Sequence, residues 1–164
     1  MAVLRWLDAN LEKYLIATLL AATVVLITVN VIMRYVMNDS LSWGEELTLW
    51  IFVWFVWLSV SYAFQRNAHV RITVFRDLLP ERGRLMMNMV VDLLVLAFML
   101  VLSWECLDLM RQPFVASQNS VVLGLPIPIL YASAPAGALL SSVRIVQHLL
   151  ATLKVLRQTT TGIA

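Results

Sequence analysis

The sequence predicts an all-α integral membrane protein with four transmembrane helices plus a short interfacial amphipathic helix, in a single membrane domain over residues 1–164. Three observations predict it. The runs Tyr14–Met33, Leu47–Gln65, Leu85–Trp104 and Val121–Val143 contain one charged side chain between them, Asp92. A helix rising about 1.5 Å per residue needs roughly 20 residues to cross a hydrocarbon core of ~30 Å. With 61% hydrophobic and 13% charged residues, the 164 positions cannot cover a soluble surface. The segments between the runs alternate in charge, as the loops of a multi-pass protein do.

The first span, about residues 14–36, reads as retained. It is long for a signal peptide, and Asn30, Arg34 and Tyr35 stand where small residues would mark a cleavage site. Asn30 near its outer end is read as an interhelical hydrogen-bonding group. The second span, about 47–65, carries Trp43, Trp50 and Trp57 at seven-residue spacing, with Trp54 four residues after Trp50. Trp43 suits the headgroup region. Trp50, Trp54 and Trp57 lie deeper, where large aromatic faces meet lipid or fill a partner's groove. Glu45 and Glu46 open this helix, where carboxylates either complement the helix dipole or offer an acidic contact to a partner.

The loop before the third span has about twenty residues, more than a tight hairpin needs. Val70, Val74, Phe75 and Leu78 recur with helical spacing around Arg71, Arg76 and Asp77, which suits a helix lying in the headgroup plane. His69, Arg71 and Arg76 are then membrane-surface contacts, and anionic lipid accounts for the basic residues without nucleic acid. The third span, about 85–104, holds Asp92 with Asn88 one turn earlier. A charge in a span is functional by default, but Asp92 lies only about 10 Å from the start of its helix. It is read as interhelical polar glue to Ser59, Ser61 or Tyr62 of the second span, with a proton or cation relay as the alternative. The fourth span, about 121–143, begins with Gly124, Pro126 and Pro128 and contains Pro135 and Gly137, which predict a bent entrance.

Orientation follows from the basic residues. Ten of twelve Lys and Arg fall in residues 1–13, 66–84 and 144–164, and only Arg34 and Arg111 lie on the opposite side. Both termini are therefore expected in the cytoplasm, with Arg144 and His148 in the C-terminal tail. Enzyme chemistry finds little footing. Cys106 is the single cysteine, His69 and His148 are not placed to ligate haem, and no nucleotide-binding, zinc-helix or nucleophile-turn motif occurs. No cofactor or metal is expected.

The order and spacing of several pieces are similar to one family. Arg34-Tyr35-Val36, Leu41-Ser42-Trp43-Gly44-Glu45-Glu46-Leu47, the aromatic second span, Ala68-His69-Val70-Arg71-Ile72 and Leu78-Leu79-Pro80 are followed by Leu125-Pro126-Ile127-Pro128, Tyr131 and Pro135-Ala136-Gly137. Together they resemble the small permease subunit, DctQ-like, of tripartite ATP-independent periplasmic (TRAP) transporters. The resemblance implies a non-enzymatic scaffold in a bacterial or archaeal cytoplasmic membrane. Its implied partners are a large membrane subunit, which holds substrate and sodium sites, and a periplasmic substrate-binding protein delivering an organic acid. Thr73 stands where the family often has an acid, so no role of that acid carries over. Two other classes stay open. A small proton-coupled four-helix multidrug exporter would need an acid within its first span, and a quinone-linked oxidoreductase would need redox groups.

Overall fold

The computed structural model describes residues 2–66 and 80–161. The elements are α1 (Ala2–Tyr35), α2 (Ser42–Gln65), α3 (Glu81–Arg111), the short α4 (Pro113–Ala116), α5 (Ile127–Tyr131) and α6 (Ser133–Thr161). Among the described residues, four segments are long and apolar enough to cross a membrane: Asn10–Tyr35, Ser42–Gln65, Gly83–Arg111 and Ile127–Leu153. The chain is thus an all-α membrane protein with four candidate crossings. The expected surface helix around Val70–Leu78 lies outside the described residues.

The helices run past the uncharged stretches. A helix satisfies its own backbone hydrogen bonds whatever its side chains, so a charge ends the apolar stretch without ending the helix. α1 takes in Glu12 and Lys13, α3 continues through Glu105 and Asp108, and α6 carries Arg144 and His148. These two residues, expected in a tail, lie in the helix of the fourth candidate crossing.

At its other end the fourth crossing starts at Ile127 rather than Val121. Residues 120–125 form a turn instead: Gly124 has φ +67°, Ser120 N donates to Leu125 O at 2.8 Å, and Asn119 pairs with Pro126 in an isolated bridge. Glycine adopts a positive φ without a steric penalty, and Pro126 and Pro128 bring no N–H to a helical ladder. The α5–α6 break at Ala132 has the same origin. Pro135 cannot donate to Tyr131 O one turn back, while Ala136 N resumes the ladder at Ala132 O (3.1 Å) and Ser133 Oγ donates to Leu130 O at 2.6 Å.

The long helices stand in a row. α1 packs on α2, α2 on α6, and α6 on α3; among the described residues no backbone contact joins α1 to α6, α1 to α3, or α2 to α3. α2 and α6 are the inner members, and α6 is the more enclosed, with half of its crossing buried against 11–17% for the others. Its buried face is built of small residues, Ser133, Ala134, Gly137, Ala138, Ser141 and Ser142, ending in Ile145. Without a hydrophobic drive between helices in lipid, small residues allow the close approach that dispersion requires. Met99 of α3 packs with Ala138 and Ile145, flanked by Val60 and Phe64 of α2.

The closest approach is at Gly137. A Cβ there would lie 2.7 Å from both the Cβ and the carbonyl oxygen of Trp57, so backbone meets backbone. Gly137→Ala should force α2 and α6 apart, destabilising the purified protein by about 1–3 kcal/mol. The measurement is the thermal midpoint in detergent, and an unchanged midpoint would contradict the contact.

Candidate functional site

Two polar clusters tie the row together near one end. In the first, Arg144 of α6 extends past α2 to Glu12 of α1, with Nε and Nη2 3.0 and 2.8 Å from the same carboxylate oxygen, Oε1. Ser61 of α2 donates to the other oxygen, Oε2, at 3.3 Å, and Arg144 Nη1 donates to Gln147 Oε1 at 3.1 Å. Glu12 is 4% exposed, Arg144 9% and Ser61 fully buried. A charged side chain in a membrane helix is costly alone, by at least about 2.5–3.5 kcal/mol at mid-depth, and is stable where a partner meets it. Sequence reasoning placed both charges in flanking segments and missed the pair. The available signal was the small-residue face of α6, which continues past Val143 to Ile145.

In the second cluster, Asp92 of α3 has Oδ2 2.6 Å from His148 Nδ1 of α6. The expectation offered Ser59, Ser61 or Tyr62 to Asp92; the structure sets His148 of α6 against it, and the backbone contacts of α3 are with α6 rather than α2. Ser59 Oγ donates to its own helix at Phe55 O (2.7 Å), Ser61 serves Glu12, and Tyr62 OH accepts from Arg66 Nε at 3.0 Å. Asn88 is half-buried one turn before Asp92. Arg144 and His148 are four residues apart on α6, so one helix face supplies both links.

The opposite end holds the acidic pair. Glu45 forms an ion pair with Arg34 across the α1–α2 turn. Asn30, 9% exposed, donates from Nδ2 to Leu41 O at 3.4 Å and so braces the same turn. Glu46 Oε2 accepts the backbone N–H groups of Val122 and Leu123 at 3.0 and 3.1 Å. Its carboxylate is therefore committed to the turn before α5, which neither capping of its own helix nor an outward acidic contact anticipated.

The tryptophans divide. Trp50 is 6% exposed, inside this chain's own packing rather than on an outer face. Trp54 and Trp57 are half-buried, and Trp57 meets Gly137 through its backbone and Cβ. Trp43 is 46% exposed. A seven-residue spacing fixes the stripe but not the neighbour it faces; the row gives α2 a neighbour on each side, and Trp50 is covered. His69, Arg71 and Arg76 lie outside the described residues.

The model of the family described as "Tripartite ATP-independent periplasmic transporters, DctQ component" matches residues 23–155. The chain belongs to the DctQ family. Its relatives are transporter permeases rather than enzymes. DctQ relatives include a putative TRAP transporter small permease protein of Haemophilus influenzae, 31% identical over 137 residues, covering 81% of this chain and 82% of the relative. The isethionate TRAP transporter permease protein DctMQ of Oleidesulfovibrio alaskensis is 31% identical over 153 residues, 90% of this chain. The C4-dicarboxylate TRAP transporter small permease protein DctQ of Vibrio cholerae is 34% identical over 99 residues, 58% of this chain. This chain spans only 24% of the isethionate relative and 43% of the dicarboxylate one. The DctQ match takes in Asn30, Arg34, Asp92, Arg144 and His148, and begins after Glu12.

In this DctQ chain, Arg144→Leu should strand a buried Glu12 and destabilise by about 3–5 kcal/mol, while Glu12→Leu with Arg144→Leu should recover most of that loss. Denaturant unfolding in detergent micelles, read as a double-mutant cycle, checks it. Additive single effects would mean that the two charges do not act as a pair.

Proposed function

We propose that this chain is the small membrane subunit of a sodium-coupled, binding-protein-dependent TRAP transporter for organic acids, bracing a large transport subunit in a bacterial or archaeal cytoplasmic membrane. The observation that carries the reading is where the charges sit. The charge pairs of the described residues lie toward the two ends of the row and are spent on joining helices, Glu12 with Arg144, Asp92 with His148, and Arg34 with Glu45. Between the ends the helices offer apolar faces with exposed Val24, Val25, Val90, Leu94 and Val101. A carrier of anions needs cationic or helix-terminus groups at mid-membrane, and a scaffold needs flat apolar area. The isethionate relative supports the same partner, because a segment like this chain makes up about a quarter of it. The names of the isethionate and C4-dicarboxylate relatives favour an organic acid as substrate.

The partner contacts belong to the exposed groups. Trp43 at the start of α2 and the apolar faces of α1 and α3 are assigned to the large subunit and to lipid, with the half-buried Trp54 at the margin of the same contact. The half-exposed Glu45 lies at the end assigned to the periplasm, where the binding protein docks. The exporter alternative is weakened by Glu12 itself: the crossing does contain an acid, but Arg144 and Ser61 already engage both of its oxygens.

Two measurements test this reading. In a Cys106→Ser background, Asn38→Cys and Ser117→Cys should react with an impermeant thiol reagent from outside intact cells, and Gln158→Cys should not; the opposite pattern would reverse the topology. In liposomes the purified chain should carry no substrate or sodium flux. Adding the large subunit and binding protein should give sodium-dependent uptake, and saturable flux by the chain alone would defeat the scaffold reading.

A further inference from the structure

Between the end of α1 and the start of α2 lies an open cleft of about 320 Å³. Ile27 and Val31 line its apolar side, and Asn30, Arg34, Glu45 and Thr48 supply its polar groups. Ile27 and Val31 are one turn apart on α1 and lead from the charged rim toward the apolar middle of the crossing. Arg34 and Glu45 are each about half exposed, so a cation and an anion stand side by side at the mouth. Their ion pair leaves further guanidinium N–H donors and further carboxylate lone pairs free to engage a ligand. Asn30 is nine-tenths buried, and its Oδ1 is an acceptor with no hydrogen-bond partner.

The geometry points to a phospholipid site selective for a zwitterionic headgroup with a primary ammonium. The phosphate pairs with Arg34, the ammonium donates to Glu45, and an acyl chain follows Ile27 and Val31. The cleft sits at the ends of the crossings Asn10–Tyr35 and Ser42–Gln65, the depth at which headgroups lie. A purely anionic headgroup brings no cation to the free lone pairs of Glu45, and a quaternary ammonium has no N–H to give. Free phosphate makes no use of the apolar wall.

Native mass spectrometry of the full chain, released from micelles holding equal amounts of phosphatidylethanolamine, phosphatidylcholine and phosphatidylglycerol, tests the assignment. Phosphatidylethanolamine should be retained about tenfold over the other two, equivalent to ~1.4 kcal/mol. Glu45→Gln should abolish its preference over phosphatidylcholine, and Arg34→Gln should lower retention of every phospholipid. Val31→Trp fills the cleft while leaving the Arg34–Glu45 pair in place, and should also remove the bound lipid, which keeps the test decisive if a charge variant fails to fold. Equal retention of the three lipids, or a preference untouched by all three variants, overturns the proposal. Displacement by millimolar inorganic phosphate would make this an anion site and also overturn it. So would loss of the lipid on co-purification with the large subunit, since the cleft would then be a protein contact.

Discussion

The row of helices depends on a salt bridge between helices whose backbones never meet. Arg144 reaches Glu12 across the width of α2, and it can do so because α2 presents Ser61 there, a side chain small enough to leave a passage and polar enough to bond the carboxylate. In a solvent of lipid tails, apolar contact gives helices little reason to prefer one another over lipid. A charge pair does give such a reason, because each member is costly when exposed to hydrocarbon alone. The pair thereby fixes the angular position of α1 and α6 about the helix between them.

α6 makes the arrangement possible. Its face of serines, alanines and Gly137 admits α2 on one side and α3 on the other, while Arg144 and His148 reach out from the same stretch toward both ends of the row. A helix with larger side chains could not approach Trp57 to backbone contact. Close packing and charge pairing are separate devices, and both are concentrated on the one helix that has two long neighbours and half its crossing buried.

Much of this architecture was legible in the sequence, for a physical reason. Span number and helix class depend on summed hydropathy over windows of bilayer length, which a sequence displays directly. The bend before the fourth span was legible too, since Gly124, Pro126 and Pro128 act through their own backbone chemistry. Neighbour relations were less so. Asp92 announced a polar contact but not its partner, because His148 stood beyond the uncharged run and was read as tail. Trp50 announced an aromatic anchor but not whether the surface receiving it belonged to this chain. Arg144 was assigned by a rule about loop charges, which says nothing of a side-chain partner such as Glu12.

The spatial order also has a temporal side. The chain is synthesised as α1, α2, α3 and then α6, yet α3 makes no backbone contact with either of the two long helices made before it and meets α2 through side chains around Met99. Until α6 emerges, the nascent protein is an α1–α2 pair and a third helix, with Asp92 lacking His148 and Glu12 bonded by Ser61 but lacking Arg144. The last long helix to leave the ribosome brings Arg144 to Glu12 and His148 to Asp92 at once, so the charge pairing at this end of the bundle is completed only when the fourth crossing is in place.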